Sequence, residues 1–462
     1  MRDMTEGKAG KLILSFTLPM FIGNIFQQLY NMVDSAVVGR YVGPNALAAV
    51  GTSFPIIFVL ISLVFGLTMG TGVIISQFFG AKQIDKVRRA VSTALTFQTA
   101  GALVMTVVGL LLSRPLLHLL NVPAEIIEDS AAYMQIFFGG LVFMFAYNSF
   151  SGILRSLGDS KTPLYFLVIS TLVNVGLDIY FVANLGWGVA GVAWATLIAQ
   201  ALSAALCIIY IYQKVPILQF TREQWVFDRE IFKMMLRLGV PSSIQQTVVS
   251  VGMMAVQGLV NSFGGVTMAA YTAAGRIDSF NMMPLQNFSM ALSTYVGQNV
   301  GANRLDRVRD GLRATMRMVF ISCLVVSVAI FLFGPQLIQI FVDASETEVI
   351  RQGVDYMRTV SIFYILFGVM MVMNGLLRGA GDAAIPMYTS LVNLAVRVGA
   401  AYWLASLPAF GYRGIWWALP IGWAFGALVP VIRYLTGGWK AKALIRQEMF
   451  AKASAEEAVG TD

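Results

Sequence analysis

Two acidic side chains, Asp34 and Asp178, lie in long apolar stretches of the sequence. Each follows amide side chains that share its helix face by spacing: Gln27 and Asn31 precede Asp34, and Asn174 precedes Asp178 by four residues. An ionisable side chain inside such a stretch is costly unless it faces protein or water. The spacing therefore predicts that each acid lies on a polar helix face that contacts protein or water.

Such a pair of acids can bind a proton or a small cation. Two carboxylates that meet in a medium of low dielectric cannot both stay ionised cheaply, so one holds a proton or a Na⁺ ion bridges them. Two further side chains could add oxygen ligands in the same half of the chain, Asn148 and Thr196. The alternative is that Asp34 only reaches the outer headgroups and that structural hydrogen bonds neutralise Asp178.

A second set of polar residues is a candidate substrate cavity. Besides Gln27 and Asn31, it contains three charged residues of the later part of the chain and one flexible thioether: Arg276, Asp278, Arg397 and Met283. Arg276 and Asp278 are two residues apart and do not face each other on a helix, which excludes a simple local pair. Structural and functional roles both remain open for the charged residues.

The sequence carries no constellation typical of an enzyme. It has a single histidine, His118, two cysteines in apolar stretches, no Walker loop and no nucleophile motif. We therefore expect no enzyme activity, no cofactor and no metal site, apart from a Na⁺ ion that Asp34, Asp178 and Asn174 could hold. The lack of a nucleotide motif argues against ATP as an energy source.

The elements that position these residues are membrane helices. Of the 462 residues, 57% are hydrophobic and 12% are charged, which is too apolar for a water-soluble protein. At about 20 residues per crossing, we predict twelve spans. They cover residues 12–38, 47–78, 91–113, 131–154, 163–183, 189–213, 234–262, 268–298, 314–336, 354–377, 386–406 and 413–436. Most Lys and Arg residues lie at the termini and in the loops after even-numbered spans, which predicts cytoplasmic termini.

The two halves of the chain repeat each other at a distance of about 222 residues. Residues 76–82 return as 296–303, residues 85–89 as 306–310, and residues 155–159 as 378–382. Six spans in each copy give both copies the same orientation in the membrane. Asp34 has no counterpart, because Val256 and Gln257 occupy the matching stretch. We expect an all-α membrane protein of two six-helix bundles whose chemistry is not symmetric.

The repeat predicts the organisation of the chain. We expect an N-terminal lobe (1–213), a cytoplasmic linker (214–233), a C-terminal lobe (234–436) and a cytoplasmic tail (437–462). Pro19 lies in the first span and removes a helix hydrogen bond there. Because Pro19 shares this helix with Asp34, we expect it to convert loss of charge at Asp34 into bending.

Three motifs are specific in combination. They are Asn-Met-Val-Asp at 31–34 with Val-Gly-Arg at 38–40, Gly-Gln-Asn-Val-Gly-Ala at 297–302, and Arg-Gly-Ala-Gly-Asp at 378–382. With them, the chain resembles the multidrug and toxic compound extrusion (MATE) family along nearly its whole length. The resemblance implies a V-shaped transporter with two six-helix lobes. It also implies export of bulky, often cationic and amphipathic compounds in exchange for H⁺ or Na⁺.

The sequence is similar to the branch of that family named after DNA-damage-inducible protein F (DinF). This resemblance implies that Asp34 is the principal protonation site, with these supporting positions: Asp178 and Asn174 as partners, Asn148 and Thr196 as polar ligands, and Pro19 as the bend. The branch that resembles the norfloxacin exporter has acids in helices 7 and 10. This sequence has Gln245, Gln246 and Asn374 there, which favours the DinF-like branch.

Other transporter classes remain as alternatives. Arg276 and Arg397 are compatible with a flippase of lipid-linked precursors or a metabolite exporter of the same superfamily, whereas the twelve spans and the early acids argue against it. A major-facilitator transporter also has six plus six spans, but residues 80–86 match its loop pattern only loosely. We expect a multi-pass protein of the cell membrane that acts as a monomer on small amphipathic molecules and binds no nucleic acid.

Overall fold

The computed structural model describes residues 2–119, 121–219, 221 and 225–442, and its regular structure in these residues is entirely helical. The α-helices are α1 (Ala9–Tyr41), α2 (Pro44–Gly80), α3 (Ile84–Leu119), α4 (Ala124–Gly139), α5 (Leu141–Ser156), α6 (Lys161–Asp178), α7 (Gly188–Lys214), α8 (Arg229–Asn261), α9 (Gly265–Gly301), α10 (Leu305–Gln339), α11 (Thr347–Ser361), α12 (Tyr364–Gly379), α13 (Ala384–Ser406) and α14 (Arg413–Leu435). The predicted all-α fold class is confirmed. Most of the predicted tail, residues 443–462, lies outside the described residues.

These helices correspond to twelve membrane crossings because two pairs of consecutive helices are bent spans. α4 meets α5 at 47°, and α11 meets α12 at 51°. Within the described residues, six single helices and these two bent pairs are long and apolar enough to cross a membrane by length and composition alone. The remaining helices, α2, α8, α9 and α13, each overlap one predicted span and complete the twelve.

A hydroxyl group supports the bend in each bent span. Thr106 of α3 donates to the carbonyl oxygen of Phe138, at the end of α4, over 2.9 Å. Ser327 of α10 donates to the carbonyl oxygen of Ser361, at the end of α11, over 2.7 Å. A bend opens the helical hydrogen-bond ladder, and in a membrane the freed carbonyl needs another donor. The internal repeat therefore includes the bends and the side chains that support them.

The turns after matching helices also repeat. Lys82 follows α2 with a φ of 60°, and Asn303 follows α9 with a φ of 56°. Gly158 and Gly381, which precede the aspartates of the repeated 155–159 motif, have φ values of 86° and 92°. A φ near 90° is accessible without strain only to glycine. The sequence repeat is thus a repeat of backbone conformation.

The described residues form two compact units. The first unit contains Arg2, Leu18–Phe79 and Gln83–Leu236, and the second contains Asp3–Thr17, Gly80–Lys82 and residues 237–442. The division within α1 falls beside Pro19.

Within the second unit, the segment before α1 is bound by the repeated Gly-Gln-Asn motif. The backbone nitrogen of Met4 donates to Oε1 of Gln298 at 2.8 Å, and Nδ2 of Asn299 donates to the carbonyl oxygen of Met4 at 3.1 Å. Arg307 of α10 donates to the carbonyl oxygen of Gly7 at 2.8 Å. Met4 itself is fully buried. The motif therefore has a structural task, because it fixes the start of the chain on the second unit.

Within the first unit, the predicted linker region packs on α3. Its residues 216–218 form a short 3₁₀ turn, and α8 begins at Arg229. The hydroxyl of Ser92 donates to the carbonyl oxygen of Val226 at 2.7 Å, and the backbone nitrogen of Asp228 donates to Oγ1 of Thr93 at 2.9 Å. These bonds tie the segment that precedes α8 to the first unit.

Candidate functional site

The first unit brings the two predicted acids together around one amide. Asn174, with its amide nitrogen turned toward the acids, donates to Oδ1 of Asp34 at 3.1 Å and to Oδ2 of Asp178 at 3.2 Å. The amide oxygen of Asn174 accepts from the backbone nitrogen of Thr196 at 3.3 Å. Asp34 and Asp178 are also close enough to interact electrostatically. α1, α6 and α7 thus each supply part of one site, which we call the acid pair site.

The end of α6 positions Asp178. Directly after this residue the helix continues as a π-helical turn, Ile179–Asn184. A π turn widens the helix and moves side chains relative to the preceding α-helical face, and such turns are frequent at functional sites. Phe181 of this turn stacks on Trp187 with ring centroids 4.8 Å apart. This aromatic contact supports the irregular segment next to the acid.

Two tyrosines complete the acid pair site, and the sequence analysis missed both. Tyr30 precedes Asp34 by four residues on α1 and is close enough to interact with it electrostatically. Its hydroxyl donates to Oγ1 of Thr196 at 2.9 Å. Tyr133 of α4 is close enough to interact electrostatically with Asp34 and Asp178. Helical spacing could have identified Tyr30 from the sequence. Nothing in the sequence connects Tyr133 to the site, because α4 is distant along the chain.

The part of the acid pair site around Asp178 is buried and largely apolar, whereas Asp34 is half-buried. Asp178 and Asn174 are fully buried, and Oδ1 of Asp178 has no hydrogen-bond partner among the described residues. A cluster of valines packs beside the site, formed by Val37, Val38, Val182, Val189 and Val192. In such surroundings an unpaired charge is costly, so a proton or a cation that neutralises one acid gains much of its binding energy from this burial.

The second unit holds a different buried acid, Asp278 of α9. Its carboxylate accepts from the hydroxyl of Tyr356 at 2.6 Å and from the hydroxyl of Tyr364. Arg397 of α13 is close enough to interact electrostatically with Asp278, and its Nη2 donates to the hydroxyl of Tyr271 at 3.5 Å. The candidate residues Asp278 and Arg397 therefore belong to one polar cluster with aromatic walls.

Comparison with known proteins places this architecture in a family. The MatE family model matches the chain twice, over residues 19–180 and 241–403, which reproduces the internal repeat. The chain belongs to the MATE family of membrane transporters. The chain is therefore a transporter and not an enzyme.

Individual MATE proteins are similar over almost the full length of the chain. It is 31% identical to the probable multidrug resistance protein YoeA of Bacillus subtilis, over 93% of this chain and 94% of that protein. It is 30% identical to the probable multidrug resistance protein YpnP of the same organism, over 96% and 99%. A solved structure, described as the outward-facing conformation of a multidrug resistance MATE family transporter, has a TM-score of 0.88, with 27% identity over 95% of this chain and 98% of that one. The predicted fold of twelve spans in two six-helix bundles is confirmed.

In this MATE chain, the other predicted residues of the first unit have no described contact with the acid pair site. Asn148 donates to the carbonyl oxygen of Met144, one turn back on its own helix, at 2.9 Å. Gln27 is half-buried, whereas Asn31 is exposed. Pro19 is buried inside α1, which continues as one helix from Ala9 to Tyr41. Among the predicted coupling residues, the described contacts join Asp34, Asp178, Asn174 and Thr196.

The two remaining candidates of the second unit of this MATE chain, Arg276 and Met283, lie apart from the cluster of Asp278 and Arg397. Arg276 is exposed and lies over the ring of Phe341, with its guanidinium carbon 5.7 Å from the ring centroid. As its spacing from Asp278 predicts, it turns to a different neighbour. Met283 is half-buried on α9, and its carbonyl oxygen accepts from Asn287 at 2.9 Å. Only Asp278 and Arg397 share a cluster.

Proposed function

We propose that the chain is a secondary active efflux antiporter that exports bulky, often cationic amphipathic compounds in exchange for protons. The observation that carries the proposal is the acid pair site, in which Asn174 binds Asp34 and Asp178 in apolar surroundings. Membership in a transporter family and the multidrug names of the relatives support the substrate class. Both acids lie in the first half of the chain, which agrees with the DinF-like branch.

The two carboxylates supply what a coupling proton needs. Acids that meet in buried surroundings cannot both stay ionised cheaply, so one of them readily takes up a proton. A proton needs only one carboxylate oxygen and is compatible with the amide as a donor.

The coupling requires that the cationic compound and the proton cannot occupy the acid pair site at the same time. With both acids ionised, the site attracts a cationic compound, and the aromatic rings of Tyr30 and Tyr133 add favourable contacts. Protons that enter from outside neutralise both acids and remove this attraction. The cation then leaves, so the two ligands alternate at the site and their fluxes are coupled in opposite directions. Pro19 is the place in α1 where the discharged helix bends.

The same proposal covers topology and assembly. The concentration of Lys and Arg in the termini and even-numbered loops supports cytoplasmic termini in a cell membrane. One chain carries both repeats and the complete acid pair site, which supports function as a monomer. The second candidate function is a lipid-linked precursor flippase or a metabolite exporter, and Arg397 in the membrane part of the second unit is the observation that favours it.

The test uses purified protein in liposomes loaded with the cationic dye ethidium. We expect a proton gradient alone to drive dye transport and a Na⁺ gradient alone to fail. Asp34→Asn and Asp178→Asn should each reduce proton-driven transport at least tenfold. Glu128→Gln is the matched control, since Glu128 is an exposed acid of the same unit that pairs with Arg114. Undiminished proton-driven transport by Asp34→Asn would contradict the proposal.

A further inference from the structure

α1 begins in one compact unit and continues in the other. Its first turns belong to the second unit, and from Leu18 onward it belongs to the first. α8 shows the reverse arrangement, because its first turns belong to the first unit and its residues from Arg237 belong to the second. A proline follows each change at matching places of the repeat, Pro19 in α1 and Pro241 in α8. Each unit therefore holds the start of a helix whose later turns belong to the other unit.

Three side chains of the second unit bind the segment before α1. Gln298 and Asn299 bind the backbone of Met4. Arg307 donates to the carbonyl oxygens of Met4 at 3.3 Å and of Gly7 at 2.8 Å. Arg307 is itself fixed, because its Nε donates to Oδ1 of Asn299 at 2.9 Å. We call Gln298, Asn299 and Arg307 the α1 anchor.

The first turns of α1 are also packed closely. A Cβ atom on Gly10 would lie 3.6 Å from the Cβ atom of Ala314 in α10, which is ordinary van der Waals contact. The apolar residues that follow on α1, Leu12, Ile13 and Phe16, are buried. Hydrogen bonds to the backbone and buried apolar surface together hold the start of α1 on the second unit.

The start of α8 is held on the first unit in a related way, but α8 lacks the coupling acid. Phe232 of α8 packs edge to face on Phe97 of α3, with ring centroids 4.8 Å apart. Phe232 matches Gly10 in the repeat, so both helices use the same position for this contact. Asp34 has no counterpart in α8. Of the two helices, α1 is therefore the one that joins the acid pair site of the first unit to a fixed point on the second.

From this arrangement we infer that the α1 anchor positions the start of α1 for coupling. The inference rests on the proposed export function. When protons discharge Asp34 and α1 bends at Pro19, a start that is fixed on the second unit passes the bend to that unit, because helices and hydrogen-bond networks carry such coupling. A start that is not fixed moves alone. Gln298, Asn299 and Arg307 are thus positioning residues that contact neither the cation nor the proton, and they stay bound to the segment before α1 throughout transport.

The first test compares Arg307→Gln with Arg309→Gln in the ethidium liposome assay. Arg309 is an exposed arginine two residues further along α10, so both variants lose one positive charge from the same helix. We expect Arg307→Gln to reduce proton-driven transport at least tenfold and Arg309→Gln to leave it unchanged. Both variants should still bind ethidium and release protons on binding like the wild type, because the acid pair site is intact. A variant that is merely unfolded loses binding as well.

The second test replaces the anchor by a disulfide. The pair Gly10→Cys and Ala314→Cys brings two Cβ atoms to 3.6 Å, within the range that a disulfide requires. This pair is combined with Arg307→Gln. We expect oxidation to restore most of the lost transport, and reduction with dithiothreitol to remove it again. The reduced form of the same protein is the matched control.

The outcomes separate this inference from the proposed function. If the wild type fails to transport ethidium under a proton gradient, or binds it without proton release, the proposed function and the inference are both overturned. If the wild type does both and Arg307→Gln transports equally well, only the inference is overturned. The inference is also overturned if Arg307→Gln loses ethidium binding together with transport, or if the oxidised disulfide fails to restore transport.

Discussion

The amide nitrogen of Asn174 lies 3.1 Å from a carboxylate oxygen of Asp34 and joins α6 to α1 inside the first unit. The same nitrogen reaches Asp178 at 3.2 Å, so one donor serves two acids. A donor stabilises the ionised form of each carboxylate, and that form is the one that attracts a cation. This relationship makes Asn174 as important to the proposed coupling as the acids are.

Replacement of Asn174 by leucine tests this dependence. The variant keeps the approximate volume of the side chain but leaves both acids without their common donor. Hydrogen bonds to charged groups contribute about 1.5–3 kcal/mol, so we expect proton-driven ethidium transport to fall at least tenfold. Gln135→Leu removes an amide of α4 that contacts Ser113, away from the acids, and is the matched control. Equal transport by the two variants would contradict the role of Asn174.

Tyr30→Phe isolates the contribution of one hydroxyl. The ring stays in place, while Thr196 loses the hydroxyl, close to Asp34, that donates to its Oγ1 over 2.9 Å. We expect ethidium to bind about tenfold more weakly and the Michaelis constant for transport to rise correspondingly. Fluorescence titration of the dye against the purified variant measures this directly. A Tyr30→Leu variant, which also removes the ring, should bind ethidium more weakly still.

Part of this site follows from the sequence alone. The spacing of Asn174 and Asp178 places them on one helix face, and the absence of a second copy of Asp34 marks the first half as the acidic one. The contact between α1 and α6 is a tertiary contact, and the spacing of residues along one helix cannot predict it. The resemblance to a family, rather than periodicity, supplied that pairing in advance.

Other parts of the molecule depend on contacts between distant segments. Asn148 is predicted as a ligand through its amide oxygen, and its amide nitrogen donates to the carbonyl oxygen of Met144 on its own helix. An amide in a membrane helix can always satisfy itself in this way, so its type and position do not reveal its partner. The two tyrosines that bind Asp278 lie on α11 and α12, far from α9 in the chain. Their pairing with Asp278 emerges only from the packed structure.

The bent spans make a prediction about stability. Thr106→Val removes the hydroxyl that donates to the Phe138 carbonyl but preserves the shape of the side chain. We expect a loss of about 1–2 kcal/mol in the free energy of unfolding and a lower melting temperature in detergent. Thr106→Ser keeps the hydroxyl and should restore most of the stability. If Thr106→Val and Thr106→Ser melt together, the hydroxyl does not support the bend.

The same reasoning applies to the matching bend of the second unit. Ser327→Ala removes the donor to the Ser361 carbonyl, and we expect a decrease in melting temperature comparable to that of Thr106→Val. Ser322 lies on the same helix, five residues before Ser327, and Ser322→Ala is the matched control.

The surface of the second unit predicts a pH effect. The Arg351 guanidinium, followed by the amide of Gln352, lowers the pKa of Glu348 to about 2 from an ordinary value of 4.5. A carboxylate whose pKa is lower in the folded state stabilises the fold above its unfolded pKa, and this contribution is lost as the pH falls toward the folded pKa. We therefore expect the melting temperature to fall between about pH 4.5 and pH 2 more steeply in the wild type than in Glu348→Gln. Because Glu348 is exposed, the difference should be small and should shrink with added salt. Parallel profiles for the two proteins would contradict the assignment.

The central claim is that a cationic compound and a proton exclude each other at Asp34 and Asp178. Its most direct test mixes purified protein with ethidium in weakly buffered solution and follows the pH with an indicator dye. The account predicts that the wild type and Glu128→Gln release protons as ethidium binds, and that Asp34→Asn does not. Ethidium binding to the wild type without proton release, or undiminished release from Asp34→Asn, would contradict it.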